Sequence, residues 1–334
     1  MTRAFAAILL ALACAFAAPP SAEAAAPCSG VRDIAVTVSD LARSEAFYSD
    51  VLGFRTLDER EDAGAAEERL DGIFGVRVRR ARMALGDERI VLTEYLVPKG
   101  RDFPGDSRAN DRWFQHLAIV VSNMDEAYAR LRAHGVRYAS TEPQRLPEWN
   151  PNAAGIRAFY FRDPDGHFLE LIQFPAGKGQ PKWQNAGGRL FLGIDHTAIV
   201  VADTGASLAF YRDVLGLRVV GESENYGTEQ EHLNNVFGAH LRITSLRGST
   251  GPGIEFLQYL TPLDGRPAPA DERANDLAWW QTTLACPDVA GIVAARPEGV
   301  IPVSAGPETP AGSNATRAIV VRDRDGHALE LVAP

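Results

Sequence analysis

Four ionisable side chains stand where an apolar strand would otherwise run unbroken. Asp33 precedes Ile34-Ala-Val-Thr-Val38, His116 opens His-Leu-Ala-Ile-Val-Val121, and His196 opens His-Thr-Ala-Ile-Val-Val201. Glu170 sits between Leu169 and Leu171. Side chains alternate along a strand, so Asp33, Ala35 and Thr37 share one face and Ile34, Val36 and Val38 the other. By the same rule Glu170 faces away from Leu169 and Leu171. An acid or imidazole on such a strand is costly to bury unless it is paired or bound to a cation. The chemistry these types offer is cation binding or proton transfer. The plainer alternatives are a hydrogen-bonded core histidine, a solvated strand end and, for Asp33, a strand-entry turn.

The elements that must carry these residues repeat. Ala46-Phe-Tyr-Ser-Asp-Val-Leu-Gly-Phe54 returns as Ala209-Phe-Tyr-Arg-Asp-Val-Leu-Gly-Leu217, and Arg162-Asp-Pro-Asp-Gly-His-Phe-Leu-Glu-Leu171 returns as Arg322-Asp-Arg-Asp-Gly-His-Ala-Leu-Glu-Leu331. A near-constant offset over so long a stretch is the signature of duplication. The halves run from 31 to 175 and from 191 to 334, joined by a Gly-rich connector at 176–190. Within each half the order of strand, helix and strands occurs twice. The strand at His116 precedes an amphipathic helix over Asp125–His134 that Gly135 stops, and Asp163-Pro-Asp-Gly166 has the chemistry of a tight reversal. Phe47, Tyr48, Phe210 and Tyr211 read as core. His167 and His327 read as structural, and Arg77, Arg79, Arg80 and Arg82 read as a largely solvated strand face. Trp149, in Leu-Pro-Glu-Trp-Asn-Pro, reads as a loop over a cavity mouth.

A first strand, a helix ending in FYxDVLG and a closing DPDGHFLEL strand resemble the vicinal oxygen chelate superfamily, which includes glyoxalase I, bleomycin resistance proteins and extradiol dioxygenases. The resemblance covers both halves. It implies an α+β fold of two tandem domains, each a pair of βαβββ modules forming a curled-sheet cup around a divalent metal (Fe, Mn, Ni, Zn or Mg). Carried over position by position, it implies Asp33, Glu94, His116 and Glu170 as ligands in the first half. The second half offers a weaker set, His196, Gln258, Gln281 and Glu330. Gln281 at a histidine position counts against an extradiol enzyme, and Asp33 departs from the usual pattern. The activity implied is a glyoxalase-like lyase or isomerase acting on a small vicinal-oxygen substrate, with Glu170 or Glu94 moving a proton. An Fe(II) dioxygenase built on His116, Glu170 and Asp33 or Glu94, and a non-catalytic binding or resistance protein, are the alternatives.

Composition narrows the partners. The 334 residues carry 34 Lys+Arg against 43 Asp+Glu, a net charge of −9, which speaks against nucleic acid and leaves a small molecule as the expected partner. Arg3, the apolar run Ala4–Ala18 and Ala22-Glu23-Ala24 read as a secretory signal peptide over residues 1–24, too short to span a bilayer, which needs about 20 apolar residues. The expectation is export, to a bacterial periplasm or outside the cell. Of three cysteines, Cys14 lies in that segment, and Cys28 and Cys286 form either a bridge or two free thiols. A monomer or a homodimer is expected, because one chain supplies every module. Asn314-Ala-Thr316 matches a glycosylation sequon.

Overall fold

The computed structural model describes residues 28–309 and 315–333. The signal-peptide reading, Cys14 and Asn314 fall outside these residues. Four modules follow one another. The first holds β1 (Gly30–Val38), α1 (Leu41–Ala46), β2 (Arg55–Ala63), α2 (Ala65–Asp71), β3 (Arg77–Leu85) and β4 (Glu88–Val97). The second holds β5 (Gln115–Val121), α3 (Met124–Ala133), β6 (Arg137–Tyr138), β7 (Gln144–Arg145), β8 (Arg157–Arg162) and β9 (Phe168–Gln173). The third holds β10 (Phe191–Val200), α4 (Thr204–Tyr211), β11 (Arg218–Tyr226), α5 (Thr228–Asn234), β12 (His240–Arg247) and β13 (Gly253–Thr261). The fourth holds β14 (Trp280–Ala285), α6 (Val289–Ala294), β15 (Ile301–Pro302), β16 (Arg317–Arg322) and β17 (Ala328–Ala333).

The fold is α+β, with each cup built from two such modules. The modules pair across the halves, however. β1 runs antiparallel to β14, joining the first and fourth modules into an eight-stranded terminal sheet. β5 runs antiparallel to β10, joining the second and third into a nine-stranded central sheet. The expected convergence of Asp33, Glu94, His116 and Glu170 therefore fails: the first two lie on the terminal sheet and the last two on the central one.

The diagnostic strings explain how each half still holds together. Tyr48 Oη donates to Asp163 at 3.4 Å, and Tyr211 Oη donates to Asp323 at 2.9 Å. Asp163 Oδ1 also accepts the backbone N–H groups of Asp165, Gly166 and His167, and Asp323 repeats this for Asp325, Gly326 and His327. Thus FYxDVLG of one module docks on the Asp-x-Asp-Gly-His turn of the next. His167 spans Asp163 and the Leu277 carbonyl, and His327 meets the Val200 carbonyl, so both are structural. Ile34, Val36, Ile90 and Leu92 of one sheet and Leu117, Ile119, Leu169 and Leu171 of the other share one apolar core with the helices. The opposite, concave faces carry the polar positions. Cys28 and Cys286 are disulfide-bonded, tying the start of the first module to the fourth.

Candidate metal centre

Pairing of β5 with β10 sets His116 opposite Ala198 and His196 opposite Ala118. The parallel neighbours complete the pattern, with Ala118 beside Glu170 and Ala198 beside Glu255. Two imidazoles and two carboxylates thus face one another in a near-twofold arrangement on the concave side of the central sheet. His116 Nε2 lies 3.1 Å from Glu170 Oε2, and His196 Nε2 lies 3.5 Å from both Glu170 Oε2 and Glu255 Oε2. Ligand atoms of His116, Glu170 and His196 all fall within 4.8 Å of one another, and the three residues are buried.

The donor set fits a divalent ion. His116 Nδ1 has no hydrogen-bond partner, and His116 Nε2 and His196 Nε2 face only these carboxylate oxygens, although all three nitrogens are buried. Buried polar atoms normally find partners, so orphaned nitrogens aimed at a carboxylate point to a ligand. Burial pushes the Glu170 carboxyl up, but the two imidazoles outweigh it and hold it at about 2. Burial pushes His196 down, yet Glu255, Asp195 and Glu170 together raise it well above its usual range. The paired carboxylates thus favour positive charge at this point. Imidazole with carboxylate suits several divalent metals and does not select one.

His196 is also braced from behind. The register slips between Ile194 and His196, and this irregularity brings Asp195 Oδ2 to 3.1 Å from His196 Nδ1. Arg247 donates to the same oxygen at 2.8 Å, while Trp183 Nε1 donates to Asp195 Oδ1 at 2.7 Å. A carboxylate on the far nitrogen fixes the tautomer that presents Nε2 forward. Burial raises the Asp195 carboxyl, but His196 and Arg247 overcome this and keep it well below the ordinary range.

The remaining expected residues lie elsewhere. Asp33 is on the terminal sheet, held by Arg32 at 2.7 Å and Arg89 at 2.9 Å. Glu94 faces away from the concave side, where it accepts the Leu41 N–H at the start of α1 and pairs with Lys99 at 3.0 Å. Gln258 does the same for α4, accepting the Thr204 N–H at 3.1 Å. Gln281 and Glu330 share the terminal sheet with Asp33, and Glu330 accepts from Thr283 at 2.9 Å. His196, assigned on sequence to a weaker set with these residues, instead joins His116 and Glu170. Sequence reasoning missed Glu255, Asp195 and Arg247. The signal for Glu255 was present: Glu170-Leu-Ile-Gln173 and Glu255-Phe-Leu-Gln258 share a Glu-x-x-Gln pattern, and Gln173 caps α3 as Gln258 caps α4. Trp149 stacks on Tyr226 at 4.3 Å, so its loop is pinned to β11.

A sequence profile described as Glyoxalase/Bleomycin resistance protein/Dioxygenase superfamily matches residues 30–171 and 193–331. The chain belongs to this superfamily. It is 35% identical over 153 residues to a 2-epi-5-epi-valiolone epimerase of Actinomyces sp, covering 44% of this chain and 80% of that protein. It is 27% identical over 132 residues to glyoxalase I of Saccharomyces cerevisiae, covering 40% of this chain and 35% of that protein. The crystal structure of glyoxalase I from Zea mays superposes with a TM-score of 0.60 at 16% identity, covering 91% of this chain and 92% of that one, and so shares the fold. Among the described residues no helix is long and apolar enough to cross a membrane.

Proposed function

We propose that this protein is a divalent-metal-dependent lyase or isomerase acting on a small substrate with vicinal oxygens, at the central-sheet cluster. The observation that carries the reading is the convergence of His116, Glu170 and His196 within 4.8 Å, with Glu255 alongside. These four residues would hold the ion, which supplies Lewis-acid stabilisation of a developing enolate or oxyanion. Glu170 is enclosed by both histidines and serves as an anchor. Glu255 is more exposed, and its other oxygen is held by Ser245 at 2.7 Å. Once released from the ion, it therefore takes the role of general base in place of Glu94, abstracting a proton from the carbon next to a bound carbonyl and returning it. The named epimerase and glyoxalase relatives support this class of chemistry.

Two histidines and one glutamate also make the donor set of non-haem Fe(II) oxygenases, which supports a dioxygenase as the second reading. The test is metal analysis of the purified protein, followed by two assays on the metal-loaded form. Deuterium exchange into small α-hydroxyketones in D2O supports the lyase or isomerase. Oxygen uptake with catechols supports the dioxygenase. Failure to retain Mn²⁺, Fe²⁺, Ni²⁺ or Zn²⁺ overturns both and leaves a binding protein. The proposed location is outside the cytoplasm. The segment at residues 1–24 and the Cys28–Cys286 bridge support it, since disulfides persist in oxidising compartments.

A further inference from the structure

The terminal sheet encloses a cavity of about 310 Å³ on its concave face, well away from the histidine cluster. Here the positions matching His116, His196, Glu170 and Glu255 are held by Gln281, Asp33, Glu330 and Val91, in that order. Among the described residues no histidine or cysteine lines this cavity, and Asp33 is already bracketed by two guanidinium groups. The imidazole donors of the central-sheet cluster therefore have no counterpart here.

The replacement is a wall of paired charges. Five arginines and five carboxylates line the cavity, so their formal charges cancel. Most of them are paired locally, although Arg32 and Arg89 share Asp33, and Glu330 accepts from Thr283 rather than from a guanidinium. Arg82 donates to Asp58 at 2.9 Å, Arg89 to Asp33 at 2.9 Å, and the half-buried Arg80 to Glu67 and, at 2.9 Å, to Asp62. An ion entering beside Asp33, Asp58 or Glu67 would have to break one of these pairs and leave its partner uncompensated. A hydroxyl group needs no such exchange, because it accepts from a guanidinium and donates to the adjacent carboxylate at once. Gln281, Thr93 and Thr283 extend the same donor-and-acceptor surface across the floor, while Trp279 and Val91 offer apolar contact for carbon. The volume lies at the small end of ligand pockets, about 300–1,000 Å³, which suits one ring.

We infer that the terminal-sheet cup is a second, metal-independent binding site for a neutral, single-ring polyhydroxylated molecule of the monosaccharide or cyclitol class. The site is separate from the proposed metal chemistry and stands or falls without it.

The test is isothermal titration of the full-length, disulfide-intact protein with myo-inositol, D-glucose and D-xylose, alongside D-gluconate and D-glucosamine as charged counterparts. At least one neutral probe should saturate with a Kd on the order of 1 mM or tighter. Treatment with EDTA and the His116→Ala change should leave that binding unaltered. Gln281→Leu and Arg82→Met should each weaken it about tenfold or more by removing hydrogen bonds. Arg82 is half exposed, so its variant keeps the inference testable if Gln281→Leu fails to fold. Saturation by none of the neutral probes overturns the inference. So does tighter binding of gluconate or glucosamine, or loss of polyol binding on removing metal or His116.

Discussion

His196 is braced through its rear nitrogen by Asp195, whereas His116 Nδ1 has no hydrogen-bond partner. A pre-oriented ligand loses less freedom on binding a metal, so the brace should be measurable. Asp195→Asn is expected to lower metal affinity about 10–100-fold in chelator competition. His196→Ala should remove as much bound metal as His116→Ala, while Asp33→Ala should remove none. Equal retention in all three would show that the cluster holds no ion. A second residue-scale outcome concerns Asp71. Burial and the nearby Glu67 raise it to about 7 against the pull of Arg80, whereas the unfolded value is about 3.9. A raised folded value means stability is fullest below about pH 4 and is lost as pH rises toward 7. Asp71→Asn should abolish that loss, which is about 4 kcal/mol, in urea melts across this range. His116 and Glu170 were legible because each interrupts an apolar strand. Glu255 was not, because its strand was read at Gln258, one of the residues whose parity points them at a helix.

At the scale of elements, strand parity decides which residues do chemistry and which hold helices. Glu94, Gln173 and Gln258 all sit near the end of a closing strand and accept a backbone N–H at the start of a helix, those of Leu41, Met124 and Thr204. The first turn of a helix leaves such groups without partners. Glu94→Ala is therefore expected to cost about 1 kcal/mol of stability, with metal content unchanged. A loss of bound metal on this substitution would return Glu94 to the site. The strand–helix modules and their turns were visible in the repeats, and α3 begins at Met124, one residue before the expected start, with Asn123 as its cap. On β3 the alternation misleads at Arg80, which is half-buried and paired with Glu67 and Asp62 rather than solvated like Arg77. Alternation of Arg with Val and Ala says which face a side chain takes, but not whether a helix such as α2 later covers that face.

For the whole molecule, which module pairs with which is not written in any local pattern, because β1 meets β14 and β5 meets β10 through contacts far apart in sequence. The two sheets are linked where Glu88 of the terminal sheet accepts the Ile194 N–H at 3.1 Å and Lys182 of the connector pairs with it. Beside Lys182, Trp183 donates to Asp195, so the connector is packed rather than loose and reaches the residue that braces His196. The terminal sheet has a further constraint that the central one lacks. Its two modules come from opposite ends of the chain, and Cys28–Cys286 closes a loop spanning 258 residues. In the unfolded chain these modules would rarely meet, whereas the second and third are joined by a short connector. Cys28→Ala with Cys286→Ala should therefore lower stability by about 2–4 kcal/mol. Hydrogen exchange should show the increase in opening concentrated on β1 and β14, with β5 and β10 protected as before. Bound metal should be retained, because all four proposed ligands belong to the modules that the bridge does not join. Equal loosening of both sheets would mean that they unfold as one unit and that the bridge stabilises the whole core.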